Sequence, residues 1–360
     1  MEGHRDRRGL RSGRHRSGRI FTSGHAEEAE HVFALDERTG KPLWSSSISG
    51  ERPVKVDRPG SRVMPTVDGG LVYSVSVEGN LVCLDAATGK LRWEKHLVKE
   101  FRGTRPGWGY SESALVDDNL VLCTPGGAQG AVIAFNKLTG ELAWRSKDFK
   151  DSAHYSALVP ATIGGVKQYV QLTSKSIAGI AAADGQLLWR ADRVANIPAV
   201  IPSPVVADGH VYVTSGYNFG CNGFSVTKDS AGFKAEELWN NKVLVNQIGG
   251  VVKIGDYIYG LSDSGKLVCQ DFKSGEQKWA ERSVGKGAVV FADGMLYCRS
   301  EGKDGAVALV EPMPDGYKER GRFVQLDRSQ REAWAHPVVA NGRLYLRDMD
   351  VLLCYDVRRK

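Results

Sequence analysis

Short runs in which apolar and polar residues alternate recur along almost the whole chain, each bounded by a turn signal. Leu71-Val-Tyr-Ser-Val-Ser-Val77 is followed by Glu78-Gly-Asn80 and then by Leu81-Val-Cys-Leu84. Val205-Val-Ala-Asp-Gly-His-Val-Tyr-Val213 and Val289-Val-Phe-Ala-Asp-Gly-Met-Leu-Tyr-Cys298 repeat the arrangement. A period of two sends successive side chains to opposite faces, and an Asp-Gly or Glu-Gly pair between such runs is hairpin chemistry. No stretch sustains the 3.6-residue period of a helix. The pattern predicts short antiparallel strands throughout.

These strands come in a larger repeat. The phrase Leu35-Asp-Glu-Arg-Thr-Gly-Lys-Pro-Leu-Trp44 returns as Leu84 to Trp93, Phe135 to Trp144, Ile180 to Trp189 and Gln270 to Trp279, always with glycine four residues before tryptophan. The steps between tryptophans are 49, 51, 45 and 90 residues, the last being two periods with a degraded copy ending at Trp239. A fixed period near 45 residues marks units that cannot bury their apolar faces alone and must stack on neighbours. Within the phrase, Asp or Asn can hydrogen-bond the turn, glycine admits positive φ, and tryptophan opens the next strand. One tryptophan per unit buries roughly 200 Å² each time and suits a seam between units. The expected architecture is an all-β propeller.

The phrase Asp-x-x-Thr-Gly-Lys-x-x-Trp resembles the repeat of the quinoprotein-type propellers, the pyrroloquinoline quinone (PQQ) repeat family. That family includes bacterial alcohol dehydrogenases and a non-catalytic outer-membrane assembly lipoprotein of the same fold. The resemblance runs from about Ile20 to Val357. It implies eight blades of four antiparallel strands and a place in the periplasm or cell envelope.

Seven units contain the turn and outer strand, the seventh in diverged form near Phe323. The eighth, Ala335 to Val357, stops without the glycine-to-tryptophan strand, and the first has no inner strand ahead of Arg19-Ile-Phe-Thr22. First and last blades are therefore expected to be incomplete. An unpaired edge near Leu352-Leu-Cys-Tyr355 would then be open to self-association.

Charge divides the chain at residue 18. Met1 to Arg19 holds seven arginines against Glu2 and Asp6, which is +5 of the net +6. Residues 1–18 read as a disordered basic tail, a truncated or non-native start rather than a nucleic-acid arm. Residues 19–360 read as one propeller domain, without nucleic-acid function. No apolar run approaches membrane-spanning length, and the N-terminus has no apolar signal core.

The cysteines and short motifs exclude more than they assign. Cys83, Cys269 and Cys354 share one repeat position, and with Cys123 and Cys298 they read as small buried hydrophobes. No Cys-x-x-Cys, His-Glu-x-x-His, Gly-x-Ser-x-Gly or phosphate-binding glycine loop occurs, so no metal or catalytic residue is assigned. The PQQ dehydrogenases of the resembled family stack the quinone against a ring of two adjacent disulfide-bonded cysteines and hold Ca²⁺ nearby. This chain has no Cys-Cys pair. No cofactor is expected, with PQQ and Ca²⁺ as the alternative.

Polar and aromatic residues remain where the inner strands begin, at the mouth of the expected central channel. They are Trp108, Tyr110, Glu112, His154, Tyr155, Asn196, Gln247, Lys286 and His336. Mixed donors, acceptors and aromatic faces suit a protein partner or a carbohydrate or peptide ligand. The alternative is that inner strands crowd the axis and need polar side chains to satisfy one another. Two functions follow: a non-catalytic binding or assembly scaffold of the bacterial cell envelope, or a quinoprotein-type oxidoreductase using PQQ and Ca²⁺.

Overall fold

The computed structural model describes residues 18–26, 29–49, 61–193, 198–329 and 331–358. The basic tail, Gly18 apart, lies outside them. Among the described residues there are thirty strands and no helix. They form eight antiparallel meanders arranged as a ring, each adding strands in chain order. Blade 2 is representative: its strands A to D are Thr66–Asp68, Leu71–Val75, Asn80–Asp85 and Leu91–His96. Blades 2 to 7 have four strands. Blade 1 has three, Arg19–Ala26, Ala29–Asp36 and Pro42–Ser47, and the last carries Trp44 as strand D. Blade 8 also has three, Val338–Ala340, Arg343–Asp348 and Val351–Asp356, equivalent to A, B and C.

The repeated phrase builds the turn from C to D. In blade 2, Oδ1 of Asp85 accepts from the Thr88 amide at 3.0 Å and its hydroxyl at 2.9 Å, and the Asp85 carbonyl accepts from the Gly89 amide. Gly89 has φ of 73°, a conformation that costs any residue with a Cβ. Just inside this turn a β-bulge interrupts the pairing, between Cys83 and Leu84, and one recurs at the matching place in blades 1 and 3 to 7. The residue paired with each tryptophan is small: Ala34, Cys83, Ala134, Gly179, Gly223 or Cys269. Two of the repeated cysteines are thus spacers beneath an indole.

The tryptophans bind one blade to the next. Indole Nε1 of Trp44, Trp93 and Trp144 donates to the carbonyls of Ala86, Lys137 and Ala182 in the following blade, at 3.2, 3.1 and 3.1 Å. Trp239 and Trp279 do the same to Lys273 and Met313. The turn glycine of the following blade lies on the ring, with Gly89 against Trp44, Gly140 against Trp93, Gly185 against Trp144 and Gly275 against Trp239. The core follows this logic, since its clusters fill the spaces between blades. Tyr73, Trp93, Val121, Ile133 and Phe135 of blades 2 and 3 form one of them.

Three sequence expectations need correction. Trp189 is buried in the cluster shared by blades 4 and 5 but does not hydrogen-bond to the next blade: its Nε1 donates to Oε1 of Gln168 in its own blade, at 2.5 Å. Blade 5 has no Thr-Gly turn to receive it, because strands C and D there run ten residues each, Gly220–Asp229 and Gly232–Asn241. Cys354 is exposed, unlike Cys83 and Cys269, because no described strand lies outside Val351–Asp356 to bring an indole over it. Of the aromatics proposed for the mouth, Tyr110 is in the core.

The seam between blades 8 and 1 is polar. The Glu37 carboxylate accepts from Nδ2 of Asn341 at 2.9 Å and the Tyr345 hydroxyl at 3.4 Å, and its carbonyl accepts from Nη1 of Arg343 at 2.7 Å. Arg347 donates to the Thr22 hydroxyl and the Ser23 carbonyl.

Candidate functional site

In an up-and-down meander, the D-to-A connections and the B-to-C turns emerge at the same end of the blade. The candidate residues lie on D-to-A connections, so B-to-C turns complete the face they occupy. Several polar side chains of that face come from turns that the sequence reading left out.

One half is aromatic and basic. The rings of Trp108 and Tyr155 are 5.8 Å apart, and the Tyr155 hydroxyl accepts from the Trp108 amide at 3.2 Å. His154 packs edge-on against Tyr155 at 5.0 Å, and its Nδ1 accepts from the Val200 amide at 2.9 Å. That bond leaves Nδ1 without a proton, and burial lowers the pKa of the ring. Burial likewise raises the Tyr155 phenol, against the hydrogen bond from Trp108 and the charges of Arg62 and Arg105. Arg62 donates to the Trp108 carbonyl at 2.8 Å, and Arg105 pairs with Glu78 at 3.2 Å.

The other half is a chain of polar contacts. Tyr217, on the B-to-C turn of blade 5, accepts from Nε2 of Gln247 at 2.8 Å. Oε1 of Gln247 accepts from the Lys286 ammonium, which also lies 3.3 Å from Glu301 and 3.9 Å from Asp263. Burial raises the Asp263 carboxyl while Lys286 pulls it down. Nε2 of His336 is 2.9 Å from the Ile248 carbonyl, which joins the connections into blades 8 and 6. A contact that skips a blade is possible only near the axis. A carbonyl only accepts, so Nε2 carries the proton and Nδ1 holds a buried lone pair without a partner. Burial lowers this imidazole's pKa and keeps it neutral.

Two candidates turn away from the mouth. Tyr110 is 1 % exposed, lies over Gly79 and donates to the Pro125 carbonyl at 3.0 Å. Glu112 is 3 % exposed and accepts from the Thr124 amide, and burial pushes its carboxyl up to about 7. Both anchor strand A of blade 3 instead of facing the channel. Asn196 lies outside the described residues. Trp108, His154, Tyr155, Gln247, Lys286 and His336 remain on the mouth side. Tyr217, Arg62, Arg105, Glu78, Asp263 and Glu301 were missed. Loop parity was the available signal, since Glu78, Asp263 and Glu301 lie within three residues of the ends of B strands.

A family profile described as outer membrane protein assembly factor BamB matches residues 28–281 and 234–334. The chain belongs to that family. Over 190 residues it is 27% identical to outer membrane protein assembly factor BamB of Burkholderia pseudomallei, covering 50% of this chain and 45% of that protein. It is 30% identical over 171 residues to the quinoprotein alcohol dehydrogenase PedH of Pseudomonas putida, covering 45% of this chain and 25% of that one. The chain therefore spans less than half the length of these two relatives. Among solved structures, BamB of Moraxella catarrhalis superposes with a TM-score of 0.62 at 15% identity, over 92% of this chain and 95% of that one. The quinohemoprotein alcohol dehydrogenase of Comamonas testosteroni gives 0.57 at 14% identity, over 90% and 69%. At these identities the likeness is one of fold.

The BamB-family fold also serves quinoprotein dehydrogenases, whose PQQ and Ca²⁺ would need free oxygen ligands at the mouth. Its carboxylates are engaged: Glu78 by Arg105, and Asp263 and Glu301 by Lys286. One face of Trp108 is taken by Tyr155, and the sequence has no adjacent cysteines. A calcium ion would have to displace an ion pair at each carboxylate, and these residues do not fit the group.

Proposed function

We propose that this protein is a non-catalytic binding scaffold of the bacterial cell envelope, acting in outer-membrane protein assembly as the BamB relatives are named for doing. The reading rests on membership of their family. The observation that carries it is the engagement of the mouth side chains with one another, from Tyr217 through Gln247 to Lys286. Groups held this way present a fixed surface of rings, amides and charges. Catalysis would call for a general acid or base directed at a substrate. A preorganised surface of this kind suits recognition of an extended protein segment.

The test is site-specific photocrosslinking in envelope preparations, with a photoreactive side chain in place of Trp108 or Tyr217. A discrete adduct with a component of the outer-membrane assembly machinery supports the reading. The same probe at exposed Leu138, in a C-to-D turn at the opposite end of its blade, should give no such adduct. Equal labelling from Leu138, or uptake of PQQ with Ca²⁺ accompanied by alcohol oxidation, would overturn it.

A further inference from the structure

Blade 5 departs from its neighbours at the B-to-C turn as well as in its long strands. Blades 2 and 6 turn with Ser76-Val-Glu-Gly79 and Ser262-Asp-Ser-Gly265, and only the glycines have positive φ. In blade 5 the left-handed residues are Tyr217 and Asn218, at φ of 58° and 63°. A bulky side chain is disfavoured there, and such outliers persist where surrounding contacts impose them, often at functional sites.

Beside this turn lies a cleft of about 340 Å³ running to Lys242, just past strand D. Glu237 accepts from Nδ2 of Asn222 at 2.8 Å and Nδ2 of Asn240 at 2.6 Å. A carboxylate only accepts, so both amides present their NH₂ ends to Glu237 and turn their carbonyl oxygens the other way. Neither oxygen has a partner among the described residues, and neither has the Asn218 amide or the Lys242 ammonium. Asn222 and Asn240 line the cleft with a half-exposed tyrosine and a lysine that has no acidic partner among the described residues.

We propose that this cleft binds an acidic saccharide, a sugar unit carrying one carboxylate or phosphate. Sugar hydroxyls donate to Oδ1 of Asn222 and Asn240, each of which is oriented by one N–H bond to Glu237. The anionic substituent sits at Lys242, and the apolar face of the ring lies on Tyr217. Orientation set by two anchored amides is what distinguishes a sugar subsite from a wet surface groove.

The test is titration calorimetry on the full chain, with N-acetylglucosaminyl-N-acetylmuramic acid as the acidic probe and neutral chitobiose as its comparison. The acidic disaccharide should bind saturably and chitobiose at least about five-fold more weakly, the scale of one charge-assisted contact. Asn240→Ala should weaken the acidic disaccharide about ten-fold, the scale of a lost hydrogen bond. Lys242→Ala should abolish the preference. Both residues are exposed, so thermal unfolding should not change. Leu138→Ala, in an exposed C-to-D turn at the opposite end of blade 3, should bind like the parent. No saturable binding of the acidic disaccharide, equal affinity for both probes, or indifference to both alanine variants would overturn the proposal.

Discussion

A β-carbon placed on Gly140 would stand 2.8 Å from Cδ2 of Trp93, so the turn of blade 3 closes directly onto the indole of blade 2. Gly140 also has φ of 72°. Gly140→Ala therefore meets both a backbone penalty and overpacking, together about 2–4 kcal/mol. Trp93→Ala should cost about 3–5 kcal/mol through the cavity it leaves. With the indole gone the added methyl has room, so the double variant should be less destabilised than the sum. Urea unfolding of the three variants measures this, and strict additivity would mean that the two residues do not share the seam.

Trp189 should respond to its own blade. Gln168→Ala strips the buried indole N–H of its acceptor and should cost about 1–3 kcal/mol. Once Trp189 is phenylalanine there is no donor to strand, so Gln168→Ala should then cost less. Trp93→Phe should leave the Gln168→Ala effect unchanged, because Trp93 donates to Lys137 across a seam.

The buried Glu112 carboxyl sets a pH dependence of definite sign. Burial raises its pKa to about 7 in the folded protein, from an ordinary value of 4.5. Between these values the folded state holds a proton that the unfolded state has released, so stability falls as pH rises through this window. The loss is on the order of 3 kcal/mol, complete above about pH 7. Glu30 is raised by burial as well and contributes with the same sign. Glu112→Gln cannot ionise, so denaturant midpoints from pH 4.5 to 8 should show a shallower slope and a variant at least as stable as the parent at pH 8.

At the seam between blades 8 and 1, Arg347→Ala should lower stability by about 2–3 kcal/mol, the scale of lost hydrogen bonds to a charged group. Lys234→Ala, at an exposed pair with Glu236, should change it by less than about 1 kcal/mol. Calorimetric melting distinguishes them, and equal shifts would remove any special role for Arg347 in joining the two blades.

Among the described residues, strand Val351–Asp356 has a paired neighbour on one side only. Unpaired backbone groups on such an edge invite a strand from another molecule. Sedimentation across a concentration series should reveal self-association, and Cys354→Lys at this exposed edge should reduce it. A concentration-independent monomer for both proteins would rule out pairing through this strand.

The sequence by itself determined whatever repeats. Strand alternation, the Asp-x-x-Thr-Gly turn and one tryptophan per period specify the blades and their number, because these are local patterns each unit must satisfy in the same way. They also revealed the incomplete first and last blades. What breaks the repeat was decided by tertiary structure. Trp189 faces a blade without the receiving turn and bonds to Gln168 instead. Cys354 shares a register with Cys83 and Cys269 yet has no strand beyond it among the described residues. Tyr110 and Glu112 lie on the connection into an inner strand as Trp108 does, but neighbouring backbone groups at Pro125 and Thr124 hold them in the core. The run of contacts from Tyr217 to Gln247 to Lys286 unites three blades whose residues are far apart in the chain. Periodicity describes what each unit shares, whereas a site at the axis depends on which side chains of different units meet there, and only closure of the ring brings them together.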